Sequence, residues 1–97
     1  MAINSSQRKK LESLAHSLKP VVSIGKEGLS NGVIFFISEN IEKNELIKIK
    51  LLQNKEEKEN ISNQIVLLVK CELVSIIGNT LIIYKQSNNP KNRQIKI

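Results

Sequence analysis

Only one cysteine, one histidine and no aspartate occur among the 97 residues. Cys71 alone cannot form an internal disulfide, so a reducing compartment, the cytoplasm, is the simplest expectation. One His, one Cys and no Asp leave a zinc site or a Ser-His-Asp triad without its parts, and neither a cofactor, a metal nor enzymatic activity is expected. Glutamates can serve as acid and base. The one suggestive group, Glu56, Glu57 and Glu59, reads instead as a solvated first helical turn favoured by the helix dipole. Aromatic residues total 3%, too few for recognition led by base stacking, although Tyr84 could make one such contact. The longest apolar runs, 33–37 and 65–69, have five residues each, against roughly 20 needed to cross a bilayer. No membrane span is expected, and no signal-peptide pattern opens the chain.

What is present is an ordinary globular composition, 40% hydrophobic and 25% charged, which suits a single domain with one core and argues against disorder. The net charge of +6 has a bland source in the abundance of Ile, Lys and Asn, which adds lysine without purpose. Its distribution is less bland. Residues 1–30 carry a net +3, residues 31–84 a net −1 and residues 85–97 a net +4. Concentrated charges add their potentials over roughly 8 to 10 Å, so the segregation favours a polyanionic partner.

The chain reads as αβαβαββ. Leu11, Leu14, Ala15 and Leu18 fall at helical spacing, with Ser5 or Ser6 as N-cap and an end before Pro20. Lys9, Glu12 and His16 lie off that stripe, facing water. A β-branched run at 21–24 reads as a buried strand ended by Gly25. Ser30 then caps a second helix to about Asn44, with Val33, Phe36, Ile37 and Ile41 on its buried face. The segment 46–52 alternates, Ile47, Ile49 and Leu51 opposite Lys48 and Lys50, as a strand with one wetted side does. Asn54 and Glu57 resemble a capping box for a third helix to about Lys70, with Ile61, Ile65, Leu68 and Val69 apolar. Residues 73–77 and 80–84 form a hairpin across Gly78-Asn79, glycine first as a type II′ turn prefers. Strand-helix-strand passages imply parallel crossovers and a mixed four-stranded sheet packed by helices. Residues 1–86 are the expected domain, and 87–97 a basic flexible tail that is disordered until it meets a partner.

The most informative motif is Gly25-Lys26-Glu27-Gly28, placed between a strand and a helix start. There the first helical N–H groups lack partners and the dipole adds partial positive charge, so an anion is favoured. Flanking glycines admit a sugar-phosphate chain, Lys26 adds a full charge, and Glu27 has to point away. The two glycines also have a plain reading as turn residues. Neither the dinucleotide fingerprint nor the P-loop spacing is present. A KH domain also sets GxxG against nucleic acid, but between two helices.

The run Leu18-Lys19-Pro20-Val21-Val22-x-Ile24-Gly25-Lys26-x-Gly28-Leu29-Ser30 resembles the signature of the YhbY-like CRM domain, the chloroplast RNA splicing and ribosome maturation module. Leu46-Ile47-Lys48-Ile49-Lys50 and Ile77-Gly78-Asn79-x-Leu81-x-x-Tyr84-Lys85 are similar to its second strand and closing hairpin. The likeness covers about Leu11 to Lys85. It implies an RNA-binding domain shaped like the C-terminal domain of translation initiation factor three, and for a single-domain chain it implies association with ribosomal RNA in precursors of the large subunit. Ser30 replaces the usual Thr and keeps a hydroxyl cap; Lys85 stands where Arg is common and lacks its bidentate fork.

The expected interface is Gly25, Lys26, Glu27 and Gly28 with Lys19 close by, and Arg8, Lys9, Lys10 and Lys85 supplying long-range attraction, with RNA as partner and no membrane or small-molecule substrate. His16 reads mainly as a solvated helix histidine and Cys71 as a small buried hydrophobe. Lys48 and Lys50 either extend the basic surface or simply wet an open strand face. The alternative function is a basic adaptor that meets an acidic protein without touching RNA.

Overall fold

The computed structural model describes residues 3–53 and 55–97. In chain order its elements are α1 Ser5–Ala15, β1 Val22–Ile24, α2 Asn31–Asn44, β2 Leu46–Leu51, α3 Lys58–Val69, β3 Glu72–Ile77 and β4 Thr80–Tyr84. Short 3₁₀ turns occupy Lys55–Glu57 and Pro90–Asn92. The element order is the expected one, an α/β domain with three helices and a mixed four-stranded sheet.

The strands lie in the order β1-β2-β4-β3. Strand β1 runs parallel to β2, with Val22 beside Ile49 and Ile24 beside Leu51. Strand β4 is antiparallel to both β2 and β3. It therefore fills the gap that the β2-α3-β3 crossover leaves. Gly78, at φ +59, opens the turn that sends β4 back into that gap.

Alternation along β2 divides the core in two. Ile47, Ile49 and Leu51 join Ile24, with Ile37 and Ile41 of α2 and Ile61 and Ile65 of α3, on one face of the sheet. Leu46 turns to the other face, where Leu11 and Ala15 of α1 pack with Val74, Ile82 and Tyr84. Burying each large aliphatic side chain contributes about 1.5 to 3 kcal/mol, so both layers are needed to hold a domain this small.

Several local expectations are corrected. The N-cap of α1 is Asn4, in a reciprocal box: its side chain accepts from Gln7 N at 2.8 Å and Gln7 Oε1 accepts from Asn4 N at 2.9 Å. The helix ends at Ala15, so Leu18 leaves the stripe, and Leu14 and Leu18 remain 44% and 39% exposed. On α2 the buried seam is Val33, Ile34, Ile37 and Ile41, whereas Phe36 stands outside it, 53% exposed. Leu68 is likewise exposed on α3, where Ser62 takes a buried place and donates to Glu59 O. Helix α3 begins after a 3₁₀ turn with Glu57 at its N-cap and no side-chain cap bond; Asn54, its expected cap, lies outside the described residues. Val21 precedes β1 rather than joining it.

Residues 87–97, expected as a separate tail, are packed in the structure. Ile95 and Ile97 lie against the α1-side core. The single residue joining α2 to β2, Glu45, is fully buried at φ +65 and organises this segment. Its carboxylate accepts from Ser87 N at 2.7 Å, Gln94 N at 2.7 Å and Ile95 N at 3.2 Å.

Candidate nucleic-acid interface

Strand β1 is only three residues long, yet Val22 and Ile24 are buried and anchor the loop that leaves its end. Leu52 N donates to Ile24 O at 2.9 Å, which fixes the last strand residue before the loop. Gly28 N then donates to Gly25 O at 3.1 Å and closes a tight turn with Lys26 and Glu27 exposed at its tip. Gly28 has φ +69, a conformation that costs an L-residue with a β-carbon roughly 1 to 2 kcal/mol. Among the described residues, nothing lies within 4 Å of a β-carbon built on Gly25 or Gly28. The surface above both glycines is open.

Leu29 packs on the core and carries the chain into α2. Ser30 is the N-cap, as expected: its Oγ accepts from Val33 N at 3.2 Å and its carbonyl from Ile34 N at 3.0 Å. Helix geometry leaves the N–H groups of Asn31 and Gly32 without an intrahelical acceptor. No acidic side chain occupies the first turn of α2 to compete for them.

The loop has two electrically different sides. Toward α3, a groove beside Gly28 and Leu29 is lined by Glu56, Glu57, Asn60 and Gln64. Toward the α1 face of the sheet, Ser23, Lys50 and Thr80 sit in one register row, and Lys50 is exposed. Strand spacings put Lys50 roughly 8 Å from Gly25. A polyanion on the loop is therefore drawn toward the Lys50 side and repelled from the glutamate side.

The remaining basic residues named from sequence are not gathered at the loop. Lys19 is exposed and lines a groove with Leu14, Leu18 and Leu46. That groove lies at the opposite end of β1, a strand of about 10 Å. Arg8 donates to Leu73 O at 3.0 Å and Val74 O at 2.5 Å on the far edge strand. The β3–β4 register slips between Leu73 and Ser75, and Arg8 satisfies carbonyls at that irregularity. Lys10 donates to the Lys96 carbonyl. Lys85 pairs with Glu42 at 2.7 Å beside the start of β2, the other end of the sheet. Lys9 is exposed on α1 and His16 is exposed at its C-cap, and Lys48 donates to Leu18 O at 3.0 Å. Tyr84 is buried at 2% exposure and offers no ring to a base. Cys71 is buried too, and burial pushes its thiol up to about 11. Among the described residues no group of three or more His, Cys, Asp or Glu side chains could hold a metal, and no helix is long and apolar enough to cross a membrane.

The chain is similar to known proteins over nearly its whole length. The chain is 38% identical to the Bacillus subtilis protein named "Probable RNA-binding protein YqeI", over 98% of both chains. It is 38% identical to a Haemophilus influenzae RNA-binding protein, covering 92% of this chain and 91% of that one. Among solved structures, the Staphylococcus aureus protein SAV1595 is similar with a TM-score of 0.81 and 33% identity, over 99% of this chain and 100% of that one. The model of the CRS1 / YhbY (CRM) domain matches residues 3–85, from the capped start of α1 through the end of β4, and the chain belongs to that family.

Proposed function

We propose that this chain is a non-enzymatic, cytoplasmic RNA-binding protein that seats an RNA phosphate on the Gly25–Gly28 turn and acts on ribosomal RNA in precursors of the large subunit. The observation that carries this reading is the turn itself. An exposed lysine stands at its tip, two glycines leave open space above it, and a Ser-capped helix presents free amides behind it. The names of the relatives support RNA as the polyanion. Lys26 and Lys50, both exposed, make the near contacts.

The direct test is RNA affinity measured across a salt series for Lys26→Glu and Gly28→Asp. Each lost phosphate contact lowers the slope of log K against log salt by roughly 0.7 to 0.9. An unchanged affinity and slope in both variants sinks the loop assignment. Crosslinking in cells followed by sequencing of the bound RNA tests the target: large-subunit ribosomal RNA is the expected enrichment, and its absence overturns that part.

A further inference from the structure

The chain has three aromatic side chains, and two of them are placed where burial would not put them. Phe35 is 54% exposed and Phe36 53% exposed, side by side on α2. They line a shallow depression with Gly32 and Glu39. The core seam of this helix is complete without either ring.

Helical side chains lean toward the N-terminus and cover the residues three and four positions earlier. For Phe35 and Phe36 those positions are Asn31, Gly32 and Val33, in the first turn of α2. Gly32 has no side chain to shield the rings on that side. From the Asn31 amide to Phe35 is four residues, about 6 Å along the helix axis. A nucleotide whose phosphate rests on the helix end therefore has its neighbour's base within reach of the rings.

Size selects the occupant. A Phe side chain offers roughly 150 to 250 Å², so two half-exposed rings present about the area of one or two bases. A specific protein interface needs about 800 Å² from each partner. We propose that Phe35 and Phe36 form a stacking platform for an unpaired nucleotide next to the clamped phosphate, so that the preferred RNA has a single-stranded element and is not an uninterrupted duplex. The platform rests on the phosphate-loop reading and specifies its substrate class. Paired bases are already stacked on their neighbours, and a duplex cannot offer one to the rings without being opened.

The test compares an RNA hairpin with an unpaired loop, a fully paired RNA with the same number of phosphates, and inorganic polyphosphate. Phe35→Ala/Phe36→Ala should weaken binding of the looped RNA by roughly 5- to 150-fold, the range that stacking on one aromatic supplies. The salt slope and polyphosphate binding should stay unchanged, because no phosphate contact is removed. Phe35→Leu/Phe36→Leu, which keeps apolar bulk without a π-face, should lose the same preference for the loop. As a direct readout, Phe35→Trp gives this tryptophan-free chain a single reporter, which looped RNA should quench and polyphosphate should not. Wild-type affinity for looped RNA in both double variants overturns the platform and leaves the rings to a protein partner. If Lys26→Glu lowers the salt slope in that same series, the phosphate clamp stands while the platform falls. An unchanged slope for Lys26→Glu means the clamp itself has failed.

Discussion

Gly25 and Gly28 flank the same turn but answer to different physics, and substituting each by alanine separates folding from binding. Gly28 sits at φ +69, so Gly28→Ala should cost roughly 1 to 2 kcal/mol of stability. Gly25 has no positive φ and open space where a β-carbon would go, so Gly25→Ala should leave the melting curve within about 0.5 kcal/mol of the parent. Both place a methyl group on the face where a phosphate would approach. Reduced RNA affinity in Gly25→Ala with unchanged stability is the expected outcome, and unchanged affinity counts against close backbone approach. Cys71 gives an independent check on the core. Burial raises its thiol from an ordinary 9.0 to about 11, so alkylation of the folded protein at pH 8 should be far slower than that of a free thiol. The folded state holds this proton more tightly than the unfolded one, so the resulting stability is complete below 9.0 and lost as pH rises toward 11.

At the scale of elements, the segment 87–97 is a strap held by two glutamates on either side of the end of α2. Glu45 is fully buried and accepts three backbone N–H bonds. Glu45→Ala leaves those donors without an acceptor and should cost roughly 2 to 4 kcal/mol, read as a lower denaturation midpoint and faster amide exchange at Gln94 and Ile95. Glu42 behaves differently because it titrates. The Lys85 ammonium and the Asn88 amide hold its carboxyl below the ordinary value of 4.5. A depressed folded-state value means its contribution is complete above 4.5 and disappears as pH falls through the lower value. Protection of the Asn88 amide, taken relative to its intrinsic exchange rate at each pH, should therefore fall on acidification below 4.5 in the parent, while Glu42→Gln should show low protection at every pH.

This strap was illegible in the sequence for a physical reason. A run of Asn, Lys, Arg and Gln looks like a solvated tail because, apart from Ile95 and Ile97, its side chains have little to bury. What orders it, besides those two isoleucines on the α1-side core, is a set of backbone amides meeting carboxylates some 40 to 50 positions away. The elements that local rules govern were legible: the Ser30 cap, the alternation in β2 and the glycine-first hairpin all stand as expected. Where tertiary packing decides, as for Phe36, Leu14 and Leu68, spacing alone puts the residue on the wrong side of the surface. The turn at Gly25–Gly28 was visible as a motif, but its companion Lys50 required the parallel register of β1 on β2, which a single strand pattern does not contain.

For the molecule as a whole, charge that is segregated along the chain is not the same as charge gathered in space. The protein measures 35 × 24 × 23 Å, several Debye lengths from end to end at physiological salt, where that length is about 8 Å. Potentials from the two ends of the sheet therefore do not add. Several of the basic residues that made the termini look like an RNA surface have internal partners: Arg8 holds β3 carbonyls, Lys10 a carbonyl near the C-terminus, and Lys85 the carboxylate of Glu42. Lys50 is exposed beside the turn. The contrast is measurable in one pair of variants. Lys50→Glu should weaken RNA binding and lower the salt slope by roughly 0.7 to 0.9 if it contacts a phosphate. Its exposed position implies a stability change within about 0.5 kcal/mol. Lys85→Gln should do the reverse, lowering stability through the strap while the slope stays where it was. A slope that falls for Lys85→Gln and not for Lys50→Glu would move the RNA to the opposite end of the sheet, away from the glycine turn.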